Sequence, residues 1–148
     1  MSAPGITALA DARSELRALY AQLAAELEPF RRHCDARGLC CNFTESGHML
    51  YVTGLEASEM SASDSAPDMA LAAQGKCPYL QGKLCGAREH RAIGCRIYFC
   101  DKTYEAERNA LYEKFLKGAR AIETRHGLEH TYAPVTSVDF LNLAKRGQ

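Results

Sequence analysis

Seven cysteines, at positions 34, 40, 41, 77, 85, 95 and 100 of 148 residues, dominate what this chain can become, because none falls in the first 33 or the last 48 residues. An odd number of thiols cannot pair completely within one chain. Met1 to Ala12 carries no basic segment followed by an apolar one, so export is not expected, and disulfides lose the compartment in which they persist. The expected setting is a reducing cytoplasm. There, clustered cysteines serve as metal ligands or redox thiols more often than as bridges, so the fold has to bring sulfurs from separate segments together.

The flanks supply a scaffold for this. From Ile6 to Arg32, Leu9, Leu16, Leu19, Tyr20, Leu23, Leu27 and Phe30 recur at helical spacing, while Asp11, Arg13, Glu15, Arg17, Gln22 and Glu26 form a solvated face. From Thr103 to His126 the pattern returns, with Tyr104, Leu111, Tyr112, Phe115, Leu116, Ala119 and Ile122 on one side and Gly127 as the stop. A last short helix is expected after Ser137, carrying Val138, Phe140, Leu141 and Leu143. The predicted class is mainly α with small irregular and β elements, a single domain spanning 1–148. Helices over 6–32 and 103–145 would frame a cysteine-rich metal-binding core.

Charge excludes two classes of partner. Lys and Arg total 18 and so do Asp and Glu, which leaves no bulk field for general nucleic-acid binding. No apolar run approaches the roughly 20 residues a membrane helix needs, so membrane insertion is not expected. Any partner is an unidentified protein or small molecule.

Between the helices the chain reads as short pieces. Arg32 to Ser46 is an expected loop holding Cys34, Gly38, Cys40 and Cys41. His48 to Thr53 has strand-forming residues, and Thr53 with Glu56 three positions on makes a capping box for a helix over Gly54 to Met60. Ser61 to Pro67 is linker-like, followed by a short helix from Asp68 to Gln74 that Gly75 stops. Gln81-Gly82 suggests a tight hairpin, and Gly82, Gly86 and Gly94 offer turns by which the chain can wrap a small site. His130 to Val135 is expected to be extended.

Thiolates are soft ligands that select zinc, copper(I) or iron–sulfur clusters. The candidate ligands are Cys34, Cys40 and Cys41, then Cys77 and Cys85, then Cys95 and Cys100, each expected near turn-forming residues rather than inside a helix. Four would satisfy one zinc ion or one [4Fe–4S] cluster. Seven is a surplus, so either two metals bind or some thiols stay protonated; Arg37, Arg91 and Arg96 stand close enough in sequence to neutralise part of the charge, or are ordinary surface residues. Any single cysteine can also be core filling. His48 is the best nitrogen candidate, although a supporting or surface role is more ordinary for it. His33 and His90 adjoin the clusters, whereas His126 and His130 read as surface histidines.

The order of these residues resembles the YkgJ-type cysteine-cluster family, described as zinc- or iron-chelating domains. Its members open on C-x2-C-x2-C-C and continue with a Cys-Pro-hydrophobic segment, a Cys before Arg-Pro, and a Cys-Arg-aromatic segment with a last Cys. Here Cys34-Asp-Ala-Arg37-Gly-Leu-Cys40-Cys41 matches the opening with Arg37 in place of the second cysteine. Cys77-Pro78-Tyr79-Leu80, Cys85, Arg91 and Cys95-Arg96-Ile-Tyr98-Phe99-Cys100 match the remainder, with Ala92 replacing the proline. The resemblance spans about residues 34 to 101. It implies a cofactor of zinc or an iron–sulfur cluster and assigns no reaction. One class of relatives resembles flagellin lysine methylases, which keeps open a metal-containing enzyme, with Tyr98, Asp101, Lys102 and Tyr104 as candidate polar groups. A thiol redox sensor is the other alternative, weakened by the lack of a C-x-x-C pair.

Overall fold

A computed structural model describes residues 6–30, 49–62, 66–81, 84–86, 88–97 and 105–137. The final helix expected after Ser137 and the loop over 32–46 lie outside these residues. Two long helices dominate, α1 (Ile6–Leu27), which runs into a 3-10 turn over Glu28–Phe30, and α5 (Glu105–Arg125). Between them come β1 (Tyr51–Thr53), α2 (Gly54–Met60), α3 (Met69–Ala73), the hairpin strands β2 (Leu80–Gln81) and β3 (Leu84–Cys85), a 3-10 turn over Arg88–His90 and α4 (Ile93–Ile97); β4 (Tyr132–Pro134) follows α5. The class is mainly helical. Among the described residues no helix is long and apolar enough to cross a membrane.

α1 and α5 lie antiparallel, because Glu26 near the end of α1 meets Lys114 while Glu15 meets Arg125 and His126 at the other end of α5. Their apolar stripes meet with Leu55, Ile93 and Ile97 in one core, where Ala12, Leu16, Tyr20 and Leu23 of α1 pack with Phe115, Ala119 and Ile122 of α5. Burying each large side chain there contributes about 1.5–3 kcal/mol. Midway, Gly118 lets the helices approach: a Cβ on it would stand 3.1 Å from Leu19 Cδ1.

A second core lies under the small sheet. β1 and β4 pair antiparallel with Val52 opposite Ala133, and these two residues sink into a cluster with Leu50, Ala57, Met60, Cys77, Tyr79, Ala92 and Val135. β2 and β3 form the separate hairpin predicted around Gln81-Gly82, with Leu80 opposite Cys85.

Two glycine stops set where the connecting chain goes. Both close a helix by the same two bonds, from the glycine and from the residue after it back into the last turn. At α3, Gly75 (φ 76°) donates to Ala72 O and Lys76 to Leu71 O; at α5, Gly127 (φ 69°) donates to Thr124 O and Leu128 to Glu123 O. The first delivers the chain straight to Cys77. The second returns it through Leu128, which packs on the helical core, toward β4.

Candidate functional site

Cys77 opens a turn closed by the Leu80 N–H on the Cys77 carbonyl at 3.0 Å, with Pro78 in the position whose backbone angle proline fixes in advance. The Pro78 carbonyl accepts from Asp68 N at 2.9 Å and the Tyr79 carbonyl from Gly86 N at 2.7 Å, so the turn is tied to the start of α3 and to the far end of the hairpin. Within it Cys77 is 2% exposed. Cys85 sits on β3, in register with Leu80.

Cys95 corrects one expectation. It stands in the middle of α4, not in a loop, and Gly94 beside it is helical and buried rather than a turn. The cause is the spacing of Ile93 and Ile97, four residues apart, which puts both on one face and into the core between α1 and α5. Cys95 packs instead against the cluster that holds Cys77. Neither cysteine is in a disulfide.

These are the thiols the described residues bring together. Cys34, Cys40, Cys41 and Cys100 lie outside them, as do His33, Arg37, His48, Tyr98, Asp101, Lys102 and Tyr104. Among the described residues no group of three or more His, Cys, Asp or Glu is arranged to hold a metal ion. Cys77 lies within an apolar cluster and Cys95, partly buried, packs against it.

One of the arginines expected beside the sulfurs also reaches the first helix. Arg96 lays its guanidinium 3.9 Å from the centre of the Tyr20 ring, while Nε donates to Arg91 O at 2.8 Å and Nη2 to Glu89 O at 3.2 Å. Burial pulls Arg96 below the ordinary arginine range. It braces α4 against α1.

Sequence reading found Glu56, one member of the polar group that organises this region, and missed Glu59. Every residue of α2 from Leu55 to Met60 is buried, including Glu56 and Glu59. The predicted capping box forms: Glu56 N donates to Thr53 Oγ1 at 3.2 Å, and Thr53 N and Oγ1 donate to Glu56 Oε1 at 3.1 and 3.0 Å. The other oxygen, Oε2, accepts from Ile93 N at 2.8 Å, where α4 begins. Burial, reinforced by the charge of Glu123, raises the Glu56 carboxyl above its usual range against these hydrogen bonds.

Glu59, one turn later, takes Arg13 Nε at 3.1 Å and Arg17 Nη1 at 2.9 Å on Oε1, and His90 Nδ1 lies 2.9 Å from Oε2. Arg13 is drawn partly out of the solvated face assigned to it, whereas Arg17 stays exposed there while it pairs. Burial pushes the Glu59 carboxyl up, but the bonds from His90 and Arg13 and the Arg17 charge outweigh it and hold it below the usual range.

His126 and His130, read as surface histidines, are also partnered. His126 bonds Glu15, and His130 sits 3.1 Å from Glu123 Oε1 and 3.0 Å from Thr124 Oγ1. Burial raises the Glu123 carboxyl, while His130 and the Leu55 backbone draw it down. Capping signals reveal Glu56 from sequence; nothing local in the sequence marks Glu59 or Glu123.

The chain matches no family model, no curated protein and no solved structure.

Proposed function

We propose that this chain is a metal-binding protein whose cysteines hold zinc or an iron–sulfur cluster. The observation that carries the reading is that Cys77, at the start of a turn, and Cys95, 18 residues on in α4, meet one buried cluster. The ordered cysteine set of residues 34–100 supports it, as does the resemblance to cysteine-cluster chelating domains. Cys77, Cys95 and the backbone-placed Cys85 would contribute thiolates, with Cys34, Cys40, Cys41 and Cys100 as the remaining candidates. Bound there, zinc would close a structural site and an iron–sulfur cluster would add electron transfer. Seven cysteines kept reduced for a metal need a reducing compartment, which favours the cytoplasm.

Metal quantification on the wild type and on Cys77→Ser and Cys95→Ser tests the reading. The expected result is stoichiometric zinc or iron in the wild type and at least a several-fold loss in each variant. Equal metal content in all three would remove these two cysteines from the site.

A further inference from the structure

Cys95 rides on a helix of five residues, far too short to hold its own conformation in water. Its position is therefore set by whatever α4 is tied to. On one face Ile93 and Ile97 enter the helical core. At the entry, the Ile93 N–H donates to Glu56 Oε2 at 2.8 Å, and three residues earlier His90 meets Glu59 Oε2 at 2.9 Å. Glu59 is held in turn by Arg13 and Arg17 of α1.

A buried carboxylate is costly unless it is hydrogen-bonded. Both α2 carboxylates are about 1% exposed or less, and each gives one oxygen to the scaffold and the other to the chain over 90–93. The two oxygens of each residue thus bridge α1 and the β1–α2 junction to the segment that leads into Cys95. Nothing in the helical pattern of α2 itself requires this division.

We propose that Glu56 and Glu59 are positioning residues for Cys95, a two-point clamp that fixes α4 so that this thiol meets the Cys77 cluster before any metal arrives. The consequence for metal affinity rests on Cys95 being a ligand, as proposed above. The clamp itself does not.

The test uses the full chain, reduced and stripped of metal with a chelator, and follows iodoacetamide labelling of Cys95 and Cys77 by peptide-resolved mass spectrometry. Glu56→Ala and Glu59→Ala are expected to raise the Cys95 rate relative to the Cys77 rate about tenfold, as local opening of α4 becomes easier. Glu56→Gln, which keeps one acceptor oxygen but sets its amide N–H against the other donor, should raise the ratio less than Glu56→Ala. His90→Ala, at a partly exposed position, removes one contact without touching the core and should raise the ratio about threefold even if the glutamate variants fold poorly. General loosening would speed both cysteines together. A ratio within twofold of wild type in every variant, or an equal rise at both thiols, would overturn the clamp. Zinc titration against a chromophoric chelator runs alongside, with about threefold weaker binding expected for His90→Ala. Failure of the wild type to bind zinc or iron would sink the ligand reading, and the labelling ratio would still decide the clamp.

Discussion

At the residue scale, the two α2 glutamates differ in sign although they sit one turn apart. Glu59 is held below the usual carboxylate range, so its contribution is present above that range and is lost as pH falls through its lowered value. Glu59→Gln should cost about 1–2 kcal/mol at neutral pH, limited by solvent screening at the exposed Arg17, with the gap to wild type narrowing toward pH 3. Glu56 is raised, so its favourable state is the protonated one, present at low pH and lost as pH rises through its elevated value. Glu56→Gln should accordingly compare better with wild type at pH 7 than at pH 4. Urea unfolding of metal-free protein across this range checks both, and parallel pH profiles for the two variants would contradict the assignment.

At the element scale, what sequence reveals follows from how local each determinant is. The Thr53–Glu56 capping box, the Gly75 and Gly127 stops and the long stripes of α1 and α5 are set by residues within a turn or two of each other, and each forms where expected. α4 was illegible because its helix depends on Ile93 and Ile97 finding a core built from α1 and α5, and on a hydrogen-bond acceptor 37 residues away. For the same reason the pairing of Arg13 and Arg17 was illegible: their partner Glu59 is more than 40 positions distant. Of the candidate site, the hairpin that pairs Leu80 with Cys85 was legible, and the turn at Cys77-Pro78 and the helical setting of Cys95 were not.

The glycines give element-scale tests of this packing. Gly127→Ala meets open space but a left-handed backbone, and should lower stability by about 1 kcal/mol. Gly118→Ala should change it by less than about 0.5 kcal/mol, since the helix propensity gained offsets a push on the flexible end of Leu19, whereas Gly118→Leu should cost about 1–3 kcal/mol. Thermal unfolding midpoints read out all three. A Gly118→Leu variant as stable as wild type would mean that α1 and α5 do not meet at this point.

At the scale of the whole molecule, the two cores divide the work. The core between α1 and α5 contains no cysteine among the described residues, whereas Cys77 and Cys95 belong to the cluster under the sheet. Removing metal should therefore lower thermal stability, since metal binding contributes folding free energy in thiolate-rich domains. It should nonetheless leave most of the helical far-ultraviolet signal intact. Complete loss of helix on chelation would place the metal at the centre of the fold rather than beside it.

The central claim, that the cysteine set holds a metal, is tested most directly by anaerobic metal quantification together with a visible spectrum. Stoichiometric zinc with no visible band, or iron with one, is the predicted result. Protein purified without oxygen that carries neither metal would contradict it.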